Sequence, residues 1–431
     1  MLCTRLTNAR FLTMDPDHSV AHDLGIWQGR IVGLDEAATS LPAREVVDLR
    51  GATVTACAEA GIGGALFGHG PVELGAYQLA RDKDLLPLRV QLMVAADLLR
   101  PVSAHETDGI PRALDLGLRT GFGDDRLCLG ALKVWTDGGM MARTAALTSP
   151  YEGLDHAGQL QDDPEVLTNL IVHGHLAGWQ LAVHAIGDRA ADVALDALER
   201  ARRLRPRPQA RHRIEHAGLI RPDQLPRFAR LGVSAVVQPN FLRSFGDDYA
   251  SIMGETRAPW LYRGKAFLDH GVPLVGSSEG PVADGSPLRA VQFMVERASA
   301  SGRRIGPDEA VTVDQALHAY TVAQALHAYT VARACHWGDR LGSLTPGKHA
   351  DLVVLAHDPR RVDTSRIGDI EVVEPYVAGR PARHRSSRGR HRRPDQQRGC
   401  LRDAPSRRPD HARPTRAARR PTSTGTAARR Q

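Results

Sequence analysis

The chain has 431 residues, of which 42% are hydrophobic and 24% charged, and its formal net charge is +7. These are ordinary globular proportions, which exclude collagen, a coiled coil and a wholly disordered chain. No apolar run reaches the roughly 18 residues of a membrane span, and the start MLCTRLTNARFLTMDPDHSV lacks the apolar block of a signal peptide, which predicts a cytoplasmic protein without a membrane partner. The five cysteines have irregular spacings and no CxxC pair, so we expect reduced thiols.

Short β-like pieces separated by turn residues fill residues 1–52, and further β-like pieces follow at 338–381. Between them, strand-like apolar runs alternate with helical stretches such as 161–177 and 189–204, the pattern of a parallel α/β fold. Core strands are predicted at 53–59, 88–94, 129–136, 180–185, 211–216, 233–238 and 272–277. Seven β/α units in a row favour a (β/α)8-type TIM barrel that lacks one β/α unit. We therefore predict a truncated barrel over 53–337 and one small β domain formed by both termini.

The positive charge is concentrated in the segment 382–431. This segment has sixteen Arg and three Asp, which leaves residues 1–381 with a formal charge of −6. It contains one large aliphatic residue and no aromatic, so it cannot bury enough apolar surface to offset the entropy of ordering, and we expect a disordered Arg-rich tail. No aromatic side chains are interleaved for base stacking, so nucleic-acid binding through the tail ranks last among the functions considered. The folded body is expected to bind no nucleic acid.

A nine-residue segment, QALHAYTVA, occurs twice in immediate succession at 315–323 and 324–332. Solenoid proteins need several repeats of roughly 20 to 50 residues, so one perfect short copy indicates a recent duplication. Nine residues are two and a half helical turns, so a continuous helix would rotate the next segment of the chain by about 180°. We expect the helix to bulge or lengthen there.

Four candidate functional side chains lie at the carboxyl ends of predicted strands, where barrel enzymes assemble their active sites. Lys133 ends the third strand, His184 the fourth and His216 the fifth, and Glu279 follows the seventh. Two imidazoles, an amine and a carboxylate at one barrel mouth favour a divalent metal site, with zinc as the best-suited ion. Such a metal lowers the pKa of bound water to about 7 and so provides hydroxide for attack on a carbonyl. Glu279 is the candidate general base.

Two acidic residues lie close in sequence to the candidate histidines. Asp188 follows His184 by four positions, and Glu215 immediately precedes His216. Both are candidates for supporting the ligands by hydrogen bonds, or for capping helices. A single histidine at a strand end is more often a structural residue than a ligand, so the metal site is predicted from the joint pattern.

Six segments carry a family resemblance. They are VVDLRGATVT, ALKVWTDGGMMARTAAL, GWQLAVHAIGDRA, HRIEHAG, GSSEGPVADGSPL and RLGSLTPGKHADLVVLAHDP. Together they resemble the amidohydrolase superfamily of metal-dependent hydrolases, in the branch of long amidohydrolases related to N-substituted formamide deformylases, over residues 1 to about 381. The resemblance implies a (β/α)8 barrel with a small β-sandwich built from both termini. It also implies hydrolysis of a non-peptide amide C–N bond in a small-molecule substrate.

The resemblance also implies roles for the four candidates. Lys133 matches the lysine that becomes carbamylated and bridges two metals, while His184 and His216 match metal ligands. Glu279 stands where the family has an Asp that binds metal and shuttles the proton. A Glu in that place moves the carboxylate by roughly 1 Å, and a misplacement of that size can lower the rate about a hundredfold.

One family motif is absent from this sequence. Family members continue into a Pro-Gly-Phe-(Ile or Val)-Asp-x-His-x-His run that supplies two metal-binding histidines on the first barrel strand. Here the chain passes from Val54 and Thr55 to AlaCysAlaGluAlaGlyIleGly, which resembles the second-strand region, so a long internal stretch is missing. Three protein ligands and a water still form a mononuclear zinc centre, whereas a two-metal centre is not expected.

Two functions are consistent with these observations. The first is a metal-dependent amidohydrolase that acts on N-acyl or N-formyl amines through metal-activated water, with its activity impaired in this chain. The second is a non-catalytic relic or binding protein of the same fold. Metal analysis separates the two, and the oligomeric state is left open.

Overall fold

The computed structural model describes residues 1–56, 67–68, 71–86, 88–101, 110–279, 282–321 and 331–382. Internal contacts divide the chain into two units, Met1–Arg383 and His384–Gln431. The second unit and most of the second QALHAYTVA copy lie outside the described residues. The expected disorder of the tail and the expected helix bulge therefore stay predictions.

The elements of the described residues are given in chain order. The strands are β1 (Leu2–Thr7), β2 (Arg10–Leu12), β3 (Val20–Ala21), β4 (Leu24–Trp27), β5 (Arg30–Leu34), β6 (Ala43–Asp48), β7 (Thr53–Ala56), β8 (Phe67–Gly68), β9 (Val90–Ala95), β10 (Arg100–Pro101), β11 (Arg112–Ala113), β12 (Leu127–Trp135), β13 (Leu181–Ala185), β14 (Arg213–His216), β15 (Ser234–Val237), β16 (Leu274–Gly276), β17 (Leu352–Leu355), β18 (Val372–Val377) and β19 (Arg380–Pro381). The helices are α1 (Glu36–Thr39), α2 (Pro71–Asp82), α3 (Pro164–Leu176), α4 (Asp188–Leu204), α5 (Leu225–Leu231), α6 (Pro239–Arg257), α7 (Lys265–Asp269), α8 (Pro287–Glu296), α9 (Val313–Tyr320) and α10 (Val331–Ala334).

Seven strands form one parallel sheet in the order β16-β15-β14-β13-β12-β9-β8. Strands that are adjacent in this sheet follow one another in the chain when only these seven strands are counted. All six pairings are parallel. Six of the seven coincide with predicted core strands, whereas the two-residue β8 has no counterpart among them. Strands β13, β14 and β15 are buried along their whole length. Continuous burial is typical of a parallel sheet covered on both faces, and the predicted α/β class is confirmed.

Helices connect successive strands of this sheet. Helix α4 leads from β13 to β14, and its buried residues Ala190, Ala194 and Ala197 recur every three or four positions. This spacing places a face of small residues against the core, while Arg202 on the same helix is exposed. The helix predicted over 189–204 is therefore confirmed.

The first predicted core strand, 53–59, belongs to a different sheet. Its described part is β7, which pairs antiparallel with β17 and parallel with β2. All four residues of β7 are buried. A short, fully buried strand shows the same apolar run in a parallel sheet and in a β domain, so the pattern does not separate the two. The prediction of a barrel strand at this position is wrong, and the other predicted domain limits stay predictions.

Two more sheets have four strands or more, and the second of them combines segments from both ends of the folded body. One has the order β5-β4-β1-β6, and the other has the order β19-β18-β17-β7-β2-β3. In the second sheet, Val354 of β17 lies opposite Val54 of β7, and Phe11 of β2 pairs with the same Val54 from the other side. Both termini thus contribute strands to one sheet, as expected. None of the helices in the described residues is long and apolar enough to cross a lipid bilayer.

Candidate active site

The ends of three adjacent parallel strands place Lys133, His184 and His216 together. Strand pairing sets Trp135 of β12 beside His184 of β13, and Ala185 beside His216 of β14. All three candidate side chains are buried. The rings of His184 and His216 lie edge to face with their centroids 4.5 Å apart. Two imidazoles at this separation can direct nitrogen atoms toward one point.

A buried carboxylate fixes the orientation of His184. The Nε2 atom of His184 lies 3.2 Å from Oδ1 of Asp137 and 3.3 Å from the carbonyl oxygen of Gly138. Both neighbours are acceptors, so Nε2–H donates, and Nδ1 is the nitrogen that has a lone pair whenever the ring is neutral. Nδ1 is therefore the atom of His184 that could bind a metal.

Asp137 is itself held by the backbone. Its oxygens accept hydrogen bonds from the N–H groups of Ala146, Ile186 and Gly187, at 2.9, 3.0 and 2.8 Å. Gly187 is required for this arrangement, because a Cβ at that position would lie 1.9 Å from the carbonyl oxygen of Ala146. The close approach of the two backbones brings the three donors to one carboxylate.

His216 is oriented from the neighbouring strand. Its Nδ1 lies 2.8 Å from Oε1 of Gln238, the residue that follows β15, so Nδ1–H donates and Nε2 has the lone pair. Burial, followed by the nearby His184 and Lys133, places the pKa of His216 well below the ordinary value, which keeps the ring neutral. The backbone φ of His216 is +73°, a left-handed value that is uncommon for a residue other than glycine. Such strain is often found at functional sites.

Charged side chains surround the amine of Lys133. Burial lowers the pKa of Lys133, and the charges of Glu215 and Glu279 oppose that effect. Burial raises the pKa of Glu279, and Lys133 opposes it. Glu279 also has a left-handed backbone, with φ of +49°. The structure thus brings Lys133 and Glu279 within electrostatic reach of each other at the end of the sheet.

The two acidic residues predicted to support the histidines take different positions. Glu215 accepts a hydrogen bond from Nε of Arg213 at 2.5 Å and acts on Lys133 through its charge. Asp188 begins α4, accepts the N–H of Thr148 at 2.9 Å and pairs with Arg221 at 3.1 Å. Its observed partners are therefore in loops rather than in the imidazole pair.

The donor set meets the requirements of a divalent metal only in part. His184 Nδ1 and His216 Nε2 are imidazole nitrogens, a donor type that zinc accepts. Among the described residues, however, no three His, Cys, Asp or Glu side chains are grouped so that they could hold a metal. A third protein ligand would have to come from Lys133, whose free amine is not among the usual zinc ligands.

Two residues of this site are absent from the candidates drawn from the sequence. Asp137 lies two positions after the end of β12, and Gln238 directly follows β15, at the edge where Lys133, His184 and His216 also lie. The signal that could have found Asp137 is its place in ALKVWTDGG, four residues after Lys133. Gln238 could have been found in the same way, from its place at the end of a strand in VVQPN.

Comparison with known proteins shows to which family this chain belongs. The profile of the Amidohydrolase family matches residues 30–383, which is most of the chain. The chain belongs to the amidohydrolase family. Protein LONG AFTER FAR-RED 3 of Arabidopsis thaliana is 32% identical over 294 residues, which cover 67% of this chain and 48% of that protein. An N-substituted formamide deformylase of Arthrobacter pascens is 31% identical over 252 residues, covering 58% of this chain and 45% of that protein.

The fold has counterparts among solved structures. An uncharacterized metal-dependent hydrolase from Pyrococcus horikoshii matches with a TM-score of 0.66 and 22% identity, over 84% of this chain and 99% of that chain. At that identity the likeness shows the fold alone. The chain spans about half the length of the curated relatives it matches. The resemblance to amidohydrolases seen in the sequence is confirmed at the level of the family.

Proposed function

We propose that this protein hydrolyses a non-peptide amide C–N bond of the N-acyl or N-formyl amine class, at a rate that is impaired relative to complete family members. The observation that carries the proposal is the pair of buried imidazoles, His184 and His216, whose rings are 4.5 Å apart and whose orientations are set by Asp137 and Gln238. A relative that is a formamide deformylase supports the choice of substrate class.

The proposed cofactor is one divalent cation, with zinc as the expected ion, held by His184, His216 and Lys133. Bound zinc lowers the pKa of its water to about 7. Burial favours the neutral amine of Lys133, which is the form that can become a carbamate and so supply an oxygen ligand. Burial also favours the protonated form of Glu279, which suits this side chain to give a proton to the departing amine.

The impairment is proposed from two features. No three-donor group for a metal is present among the described residues. Glu279 replaces the Asp that the family has at this place, and a carboxylate displaced by roughly 1 Å can lower the rate about a hundredfold. The cation should therefore bind weakly, and proton transfer should be slow.

The proposal also includes the fold around the candidate site, the location of the protein in the cell and its partner. We infer that the parallel sheet closes into a (β/α)8-type barrel that lacks one unit, since its strands follow chain order and are all parallel. A small β-sandwich from residues 1–56 and 338–381 would complete the folded body, supported by the pairing of β7 with β17. The expected location is the cytoplasm, and the expected partner is a small-molecule amide.

The test is hydrolysis of N-formyl and N-acyl amines by the purified full-length chain, with and without added zinc. We expect one zinc per chain when zinc is in excess, and slow zinc-dependent turnover that falls at least tenfold in His184→Asn. Glu279→Asp should raise kcat, by up to about a hundredfold, because the shorter side chain returns the carboxylate to the family position. The exposed His270 provides the matched control, and His270→Asn should leave turnover unchanged.

Two outcomes would contradict this proposal. Turnover at about 10 s⁻¹, the median for enzymes, would show that the chain is not impaired. Turnover that is equal in His184→Asn and His270→Asn would place the reaction elsewhere.

A non-catalytic binding protein of the same fold is the second candidate. The observation that favours it is the lack of a three-donor metal group among the described residues. This candidate predicts that calorimetry detects amide binding that a chelator does not change, and that no product forms over a long incubation. Zinc-dependent product formation would eliminate it.

A further inference from the structure

A cavity of about 350 Å³ lies at the opposite end of the parallel sheet from the candidate active site. Its wall includes Arg211 and His212, which precede β14, and Val233, which precedes β15, so it opens at the amino ends of the strands. The candidate active site occupies the carboxyl ends. The cavity is therefore separate from the site to which the proposed function belongs.

The cavity is lined by basic side chains. Its arginines and histidines are Arg202, Arg207, Arg211, Arg230, Arg333, His175 and His212. Within the described part of the chain, no Asp or Glu lines it. This concentration of positive charge contrasts with residues 1–381 as a whole, whose formal charge is −6.

Arg207 is held in place by carbonyl groups. Its Nη1 donates to the carbonyl oxygens of His175 and Trp179, at 2.7 and 2.9 Å, and its Nη2 donates to that of Gly178 at 2.7 Å. These carbonyls lie at the C-terminal end of α3, where a cation is favourable. Burial, followed by the nearby charge of Arg205, lowers the pKa of Arg207. The guanidinium group is thus oriented by neutral acceptors in a region of positive potential.

Two other arginines of the wall also donate to carbonyl groups. Arg202 donates to the carbonyl oxygen of Arg230 at 2.9 Å, and Arg211 donates to that of Arg333 at 3.0 Å. Arg230 reaches a carboxylate only at 3.7 Å, in Glu199 outside the cavity wall. Carbonyl oxygens orient the guanidinium groups of Arg202 and Arg207 but do not neutralise their positive charge.

The two histidines of the wall are neutral. Nδ1 of His212 accepts the N–H of Leu181 at 3.0 Å, so the proton of His212 is on Nε2. That proton is donated to Nδ1 of His175 at 2.7 Å, and Nε2–H of His175 donates to the carbonyl oxygen of Arg205 at 2.7 Å. Each ring therefore has one proton and is uncharged, so the charge of the cavity wall comes from the arginines.

We propose that this cavity binds a phosphate-type oxyanion, either free phosphate or the phosphate group of a small molecule. Guanidinium groups match the oxygens of phosphate in charge and in geometry and can bind them in a bidentate manner. A volume of about 350 Å³ admits a phosphate with a small organic part. The proposal uses none of the residues of the candidate active site, so it stands or falls independently of the hydrolase function.

The test is calorimetric titration of the full-length chain with inorganic phosphate and with glycerol phosphate, in chloride buffers of equal ionic strength. The decisive variant is Arg202→Gln/Arg230→Gln, since both side chains are exposed and line the cavity. We expect its Kd for phosphate to rise at least tenfold. Arg203→Gln is the matched control, because Arg203 is an exposed arginine of the same helix that does not line the cavity, and its Kd should not change.

The results of these titrations distinguish free phosphate from a phosphorylated small molecule. They also distinguish binding in the cavity from binding elsewhere on the chain. Tighter binding of glycerol phosphate than of inorganic phosphate would assign the cavity to a phosphorylated small molecule, and the reverse order would assign it to free phosphate. Equal Kd values in the double variant and in Arg203→Gln would overturn the proposal, since phosphate would then bind elsewhere, for example in the tail. An effect of the double variant on nucleic-acid binding but not on phosphate would also overturn it. Unchanged melting temperatures in chloride would show that both variants fold.

Discussion

Asp137 joins three segments of the candidate active site through a single buried carboxylate. Only 1% of the residue is exposed, and three backbone N–H groups point at it from two different loops. The same carboxylate sets the tautomer of His184. Asp137 therefore stabilises the fold and also orients His184, a candidate metal ligand.

We predict that Asp137→Ala lowers the free energy of unfolding by at least about 3 kcal/mol. Each buried N–H group that loses its acceptor destabilises the protein by about 1–3 kcal/mol, and three such groups lose their acceptor here. Urea denaturation measures the effect. Asp248→Ala is the control, since Asp248 forms an exposed ion pair with Arg143 and its removal should change stability by less than about 1 kcal/mol. Equal losses in the two variants would contradict the structural role of Asp137.

Much of the candidate site could be predicted from the types of the residues at the ends of the predicted strands. Lys133, His184 and His216 could be found because barrel enzymes place reactive side chains there, and the type of each residue suits a metal. The orienting role of Asp137 could not be found, because it depends on backbone N–H groups that are up to fifty positions away in the sequence. Partners that meet only through the fold leave no local pattern.

At the scale of elements, a hydrogen-bonded histidine pair connects α3 to the start of β14. His175 lies in α3, and His212 directly precedes β14. Burial lowers the pKa of His175 and places that of His212 well below its ordinary value. The positive charge of Arg207 acts in the same direction on both histidines, and that of Arg205 acts in the same direction on His175. The folded protein therefore binds fewer protons at this junction than the unfolded chain does.

This difference predicts a pH-dependent stability. As the pH falls through about 6.5, the unfolded histidines take up protons and the folded ones do not, so stability is present above that value and is lost below it. Each histidine contributes a slope of up to about 1.4 kcal/mol per pH unit. Urea unfolding between pH 7.5 and 5.5 should show a smaller slope for His212→Gln than for the exposed control His270→Gln. Equal slopes would mean that the pair is already protonated in the folded protein.

Element prediction succeeded where a strand was long enough to carry a pattern. The runs at 129–136 and 180–185 became β12 and β13, because apolar residues continue across both faces. Strand β8 has two residues, too few for any periodicity. Strand β7 was assigned to the wrong sheet because its partner β17 lies about three hundred residues away in the chain. Local composition predicts that a strand forms, but long-range contacts decide which sheet it joins.

At the scale of the whole molecule, charge and contacts divide the chain at nearly the same point. The segment 382–431 has sixteen Arg and three Asp, whereas residues 1–381 have a formal charge of −6. The internal contacts separate Met1–Arg383 from His384–Gln431. The contacts that form the parallel sheet and the terminal sheets all lie in the first unit. The basic character of the whole chain is therefore a property of its last segment and not of residues 1–381.

We predict that a chain ending at Arg383 keeps its melting temperature to within about 2 °C, since the composition of the removed segment allows it to bury little apolar surface. Its retention on a cation-exchange column should be lost, because most of the arginines of the tail are removed. Any salt-sensitive retention on a nucleic-acid column should be lost as well, whereas phosphate binding to the arginine-lined cavity should persist. Calorimetry and the two columns measure these effects on one pair of proteins. A fall of more than about 5 °C would show that the tail packs on the folded body, and loss of phosphate binding would move the anion site from the cavity to the tail.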